Sequence, residues 1–317
     1  MKATQYLAKI SDVLADNSLR QQFLWAFEAL PIDENNLPTV WGLIHKYGVR
    51  GDDIELVSLL EQIISVSPSQ VGDFLVHYFE EFLNARGENN IWSVDVPQNF
   101  KIVVEQLEEK EPKVFLSVGL RMLEHILAKS KEYQDDEIRS STVFSLYNRH
   151  NSPVYFNDWL LTHLILTIEK KVDEKDTDID ALLKDLASSD EAAKHVLAVS
   201  GWLHSADRYT EESYQYLASH IGMKFHSSYL EYCQKKLFEA IFENLEKGKR
   251  DVLMGRVAGL APDWEKVPLN NNGNTPHLRI GYTKAQFYSL IPETILKNDY
   301  PEAWQEYNRL RRQYNNV

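Results

Sequence analysis

The stretch PSQVGDFLVHYFEEFLNA, residues 68–85, decides the fold class of this chain. Phe74, Leu75, Tyr78, Phe79 and Phe82 recur at three- and four-residue steps, so on a helix they share one apolar face. Pro68 opens the stretch where a first-turn proline is tolerated, because its missing N–H would be unpaired there in any case.

The same period extends in both directions. It predicts helices over residues 4–16, 18–30, 38–47 and 52–65 before this stretch, and over 98–109, 113–131, 136–147, 154–171, 179–187 and 190–205 after it. Further helices follow over 211–220, 224–247, 249–257, 284–291 and 301–314. Pro38, Pro112 and Pro153 mark helix starts as Pro68 does. Asp52-Asp53 and Thr210-Glu211-Glu212 place acids where the positive end of a helix dipole favours them. The connections are short, which favours antiparallel neighbours. The expected fold is all-α: a multi-helical array of antiparallel helix pairs, a HEAT-like α-solenoid.

A faint internal similarity agrees with repetition. Val40-Trp41-Gly42-Leu43-Ile44-His45 resembles Val199-Ser200-Gly201-Trp202-Leu203-His204, with Val118-Gly119-Leu120 between them. The spacing is near two units of a helix-pair repeat of about 40 residues.

One segment abandons the helical pattern, residues 259–283. It contains Asn270-Asn271-Asn272-Gly273-Asn274, whose Asn-Gly step suits a tight turn. His277 to Tyr282 then reads as an extended strand, so a small hairpin or an ordered loop is expected here.

Charge divides the chain unevenly. The net charge is −13. Residues 1–200 carry 19 Lys and Arg against 33 Asp and Glu, whereas residues 201–317 carry 15 against 14. This suggests an acidic helical region over 1–222, continuous with a C-terminal helical region over 223–317. The acidic part disfavours general nucleic-acid binding, and the remainder leaves room for an anionic partner.

Cys233 is the single cysteine, which excludes an intrachain disulfide and a thiolate cluster within one chain. It reads as a packed structural thiol, and the simplest compartment is a reducing cytoplasm. No uncharged apolar run reaches about 18 residues, so no membrane span is expected. The first ten residues lack the apolar core of a secretory signal.

The motifs of common catalysts are missing. There is no phosphate loop of the G-x-x-x-x-G-K-[ST] type, no G-x-G-x-x-G, no H-E-x-x-H and no G-x-S-x-G. Asp176, Asp178 and Asp180 have calcium-loop spacing, but Ala181 and Ala187 stand where Gly and Glu are required. They read as an acidic linker capping the next helix. His204, Asp207, His220 and His226 lie close in sequence without diagnostic metal spacing, and read as helix-end contacts. Glu191 and His195 share a helix face and read as an exposed favourable pair. No cofactor and no metal are expected.

Three functions follow in order. The first is a non-enzymatic interaction module, an adaptor, scaffold or regulatory subunit that binds a protein partner on a helical surface. The second is nucleic-acid binding by the basic C-terminal face. The third is a metal-dependent all-helical enzyme. The expected partner-binding residues are Trp264, Asn272, His277, Arg279, Tyr282, Lys284, Arg309, Arg311 and Arg312, on the irregular segment and the last helix.

Overall fold

The computed structural model describes residues 29, 31–47, 54–86, 96–130, 137–139, 155–224, 227–266 and 279–314. Fourteen α-helices lie among them, and β-pairing among the described residues is confined to a single isolated bridge. The all-α expectation holds. No helix among the described residues is long and apolar enough to cross a membrane. The helices expected over 4–16 and 18–30 lie outside the described residues.

Two compact units divide the chain: residues 1–130 with 150–167, and residues 131–149 with 168–317. Gly222 and Met223, where the charge balance was expected to change, both belong to the second.

In the first unit, α1 (Leu37–Tyr47), α2 (Ile54–Ile64) and α3 (Pro68–Arg86) precede α4 (Gln98–Lys110) and α5 (Pro112–Lys129). Helix α2 packs on α3 and α4, and α5 packs on α3 and α4. Of the face that opened the sequence reading, Leu75 and Phe79 are buried while Phe74, Tyr78 and Phe82 are half-buried, and Phe79 stacks on Phe100 of α4. Phe156 then joins both rings, at 5.3 Å and 5.7 Å. It opens α6 (Phe156–Asp173), a helix that lends residues to both units. On α6, His163 Nδ1 lies 2.6 Å from Glu108 Oε2, and the Thr167 hydroxyl donates to Glu108 Oε1.

The second unit runs through α7 (Thr177–Ala187), α8 (Ala192–His204), α9 (Thr210–His220), α10 (Ser228–Phe242) and α11 (Lys247–Ala258). Each packs on its neighbour or on the helix one removed: α7 on α8, α8 on α9 and α10, and α9 on α10 and α11. A 3-10 turn at Asp263–Lys266 leads to α12 (Tyr282–Ser289), α13 (Glu293–Asp299) and α14 (Pro301–Tyr314). Helix α14 rests on α12 and α13. Asp176 caps α7 by accepting from the Asp178 N–H, as its acidic linker suggested. Cys233 is buried in α10.

The glycines of the internal similarity play unequal parts. A Cβ on Gly201 would meet Leu183 at 2.7 Å and Ile168 at 2.9 Å, so only glycine admits those helices so closely. A Cβ on Gly119 would meet Leu164 at 2.8 Å, whereas one on Gly42 would point into open space.

Several expectations are corrected. Glu137–Arg139 is not helical: Arg139 bridges to Glu191, donating its N–H to the Asp190 carbonyl and accepting from the Ala192 N–H. Helix 224–247 is shorter than expected and gives way to a turn after Phe242. The expected strand ending at Tyr282 is absent over its described part, where Ile280 and Gly281 form a turn into α12. Helix α13 was not foreseen.

Candidate functional site

The irregular segment rejoins the helical array through one buried carboxylate. Gly281 occupies the N-cap of α12 and has no side chain to satisfy the first-turn N–H groups. Glu265, 1% exposed, supplies the acceptors from the 3-10 turn. Its Oε2 accepts from the Gly281 N–H at 2.5 Å and its Oε1 from the Thr283 N–H at 2.6 Å. The Arg279 N–H donates to the Glu265 carbonyl, and the Tyr282 N–H to the Arg279 carbonyl. From the other side the Tyr314 hydroxyl donates to the Ile280 carbonyl at 2.6 Å.

Gly281 is required by conformation and by space. Its φ is +83°, and a Cβ there would lie 2.9 Å from Leu310 Cδ2. Leu310 is the buried anchor of α14. These ties hold the turn Arg279–Gly281 in one geometry. What it presents outward is Arg279, exposed, and Ile280, 55% exposed.

Of the nine residues expected to bind a partner, three gather here: Arg279, Tyr282 and Arg309. The Arg279 guanidinium lies 5.6 Å from the Tyr282 ring, and Tyr282 meets Tyr314 edge to face. Arg309 and Arg279 both pull the Tyr314 hydroxyl toward ionisation, but burial outweighs them and raises its pKa. Lys284 is already engaged by another partner, its Nζ 3.2 Å from Glu306. Arg311 and Arg312 are exposed near the end of α14. Asn272 and His277 lie outside the described residues, as does the Trp264 side chain. Ile280 and Glu265 were not among the expected residues.

No group of three or more His, Cys, Asp or Glu suited to a metal lies among the described residues. His204 turns to Asp173, 2.9 Å away. His226 lies outside the described residues.

Glu191 and His195 are not the exposed pair expected, because both are buried and face different partners. Glu191 binds Arg139 at 2.7 Å. His195 sits in a polar chain whose protons can be assigned. A carbonyl only accepts, so His195 Nε2–H donates to the Ser189 carbonyl at 2.7 Å. Its Nδ1 then accepts from the Tyr216 hydroxyl at 3.0 Å, and Tyr216 in turn accepts from Gln234 Nε2 at 3.3 Å. Burial pushes the His195 imidazole down to about 4, so it is neutral at pH 7.

Tyr216 also stacks on His220, with centroids 4.2 Å apart. His220 Nδ1 donates to the Tyr216 carbonyl at 2.9 Å, which leaves Nε2 as the acceptor, and burial lowers its pKa too. These rings border a cleft of about 470 Å³ lined also by Lys184, Trp202, Glu211 and Glu212. Sequence inspection had no signal for it, since its walls come from α7, α8 and α9.

Comparison with protein-family models, with curated proteins and with solved structures finds no match for this chain.

Proposed function

We propose that this chain is an interaction module that engages a protein partner through the turn Arg279–Gly281 and the adjoining face of α14. The observation that carries the reading is the pinned turn. Three separate groups fix it — the Glu265 carboxylate, the Glu265 carbonyl and the Tyr314 hydroxyl — while Ile280 and Arg279 remain exposed. A surface already held in one shape loses little conformational entropy on binding. Arginine beside apolar area is also the chemistry enriched where interfaces concentrate their energy.

The helix contacts support a solenoid-like, nearest-neighbour architecture within each unit, and such arrays offer extended binding surfaces. A reducing, cytoplasmic setting rests on Cys233, a single thiol packed in the core. The adaptor, scaffold and regulatory-subunit roles are variants of this one reading.

The test is quantitative affinity capture from native lysate with the full chain, its Ile280→Asp variant and its Arg279→Glu variant. Both substitutions are at exposed positions, so circular dichroism should be unchanged. We expect the same specific proteins to be lost with both variants. Equal capture by all three chains would remove this surface from the function.

A second reading, binding of a nucleic-acid backbone, is favoured by the exposed Arg309, Arg311 and Arg312. It requires affinity that falls steeply with salt and weakens further when the three are reversed to Glu.

A further inference from the structure

The cleft bounded by α7, α8 and α9 is separate from the turn at Gly281 and carries chemistry of its own. Its rim holds Glu211 and Glu212, and each already has a lysine of this chain beside it. Lys249 Nζ contacts Glu211, and Lys184 Nζ lies 3.4 Å from Glu212. Lys184 is largely exposed, so a better-matched cation can displace it at little cost. The last turn of α7 brings Ala187 and Ser188 into the wall, the helix end whose partial charge is negative.

Deeper in, two polar atoms are left over. The Trp202 side chain is 3% exposed, and its indole N–H has no hydrogen-bond partner among the described residues. His220 Nε2 is an acceptor, because Nδ1 carries the proton, and it too has no partner among the described residues. The rings of Tyr216 and His220 stack face to face, 18° from parallel, so that of the two the half-buried His220 is the one less covered.

We propose that this cleft binds an arginine side chain presented by a peptide segment of a partner protein. A guanidinium has donors only, arranged in a plane. It suits two carboxylates and an imidazole lone pair, and it stacks on aromatic rings where an ammonium does not. The indole N–H asks for an acceptor, which a guanidinium lacks and a peptide carbonyl supplies. The pairing of a cation with a neighbouring carbonyl is what selects a peptide over a free amine. The volume is that of a pocket for a small ligand or for one or two residues of a peptide.

The test is isothermal titration of the full chain with the blocked tripeptide acetyl-Gly-Arg-Gly-amide, with its citrulline analogue and with agmatine. Citrulline keeps the shape but loses the charge and replaces one N–H donor group with an acceptor oxygen. We expect saturable binding of the arginine peptide, and binding of the citrulline peptide weaker by at least about tenfold. Agmatine, which has the cation without the flanking carbonyl, should also bind more weakly than the arginine peptide.

Two exposed-site variants give opposite signs. Glu212→Gln should weaken the arginine peptide by roughly tenfold, and Lys184→Ala should tighten it by about threefold, since it removes the competing ammonium. A cleft with a purely structural role predicts no gain from Lys184→Ala. Equal affinity for the citrulline peptide, or an affinity unmoved by both variants, overturns the proposal. Agmatine binding as tightly as the peptide overturns the peptide source. None of these measurements involves Arg279 or Ile280, so their failure leaves the reading of the C-terminal turn untouched.

Discussion

His195 shows how much one side chain can depend on what covers it. It lies 1% exposed on α8, neutral, between the Tyr216 hydroxyl and the Ser189 carbonyl. Its folded pKa is about 4 against an ordinary 6.5. Between those values the unfolded chain binds the proton and the folded chain does not. The stability it contributes is therefore complete above pH 6.5 and is lost as pH falls toward 4, by an amount on the order of 3 kcal/mol. His220, shifted the same way, adds to the loss. Urea titrations at pH 7, 5.5 and 4.5 should trace it, and His195→Gln should flatten the dependence. A His195→Gln chain with an unchanged pH slope would assign the effect to other groups. Gly281 is the second such residue. Alanine there meets both a positive φ and the Leu310 side chain, and should cost about 1–3 kcal/mol in a thermal or denaturant unfolding measurement. The sequence reading placed Gly281 inside an expected strand, and gave no sign of the turn or of which leucine would close over it.

At the scale of the element, α12 illustrates a helix that its own sequence does not cap. Gly281 at the N-cap has no side-chain acceptor, so the helix start depends on Glu265, sixteen residues earlier. Glu265→Ala should leave two buried N–H groups unpaired and cost about 2 kcal/mol. It should also loosen the turn, seen as faster amide exchange at Gly281 and Thr283 with exchange in α8 unchanged. Protection that persists at those two amides would mean the cap is dispensable. Helices with a strong period were the legible ones: α3, α4, α5 and α14 lie within a residue or two of where the three- and four-residue spacing put them. Elements governed by distant partners were not legible. Residues 137–139 have local helix-forming character, yet hydrogen bonds to Asp190, Ala192 and Lys224 hold them in a bend and a single bridge. Local propensity yields wherever a segment can instead satisfy its backbone on another element.

At the scale of the molecule, a net charge of −13 sets how the chain meets other polymers. At about 0.15 M salt the screening length is only about 8 Å, so local clusters act apart from the overall charge. Lys284 is already paired with Glu306. We expect the full chain to pass through a heparin column at that salt. Retention that disappears on reversing Arg309, Arg311 and Arg312 would favour the nucleic-acid reading over the protein-partner one.

Sequence alone determined that this protein is helical, where most described helices run, that Asp176 caps α7, and that Cys233 packs in a core. Those features follow from period, capping chemistry and hydrophobicity, which act over a few residues. Only the tertiary structure decided that Glu265 and Tyr314 pin the turn, that Ile280 is left facing outward, and that α7, α8 and α9 border an open cleft. Each of those depends on groups brought together across 16 to 36 residues of chain. No local pattern encodes such meetings, because they follow from which helix faces bury against one another.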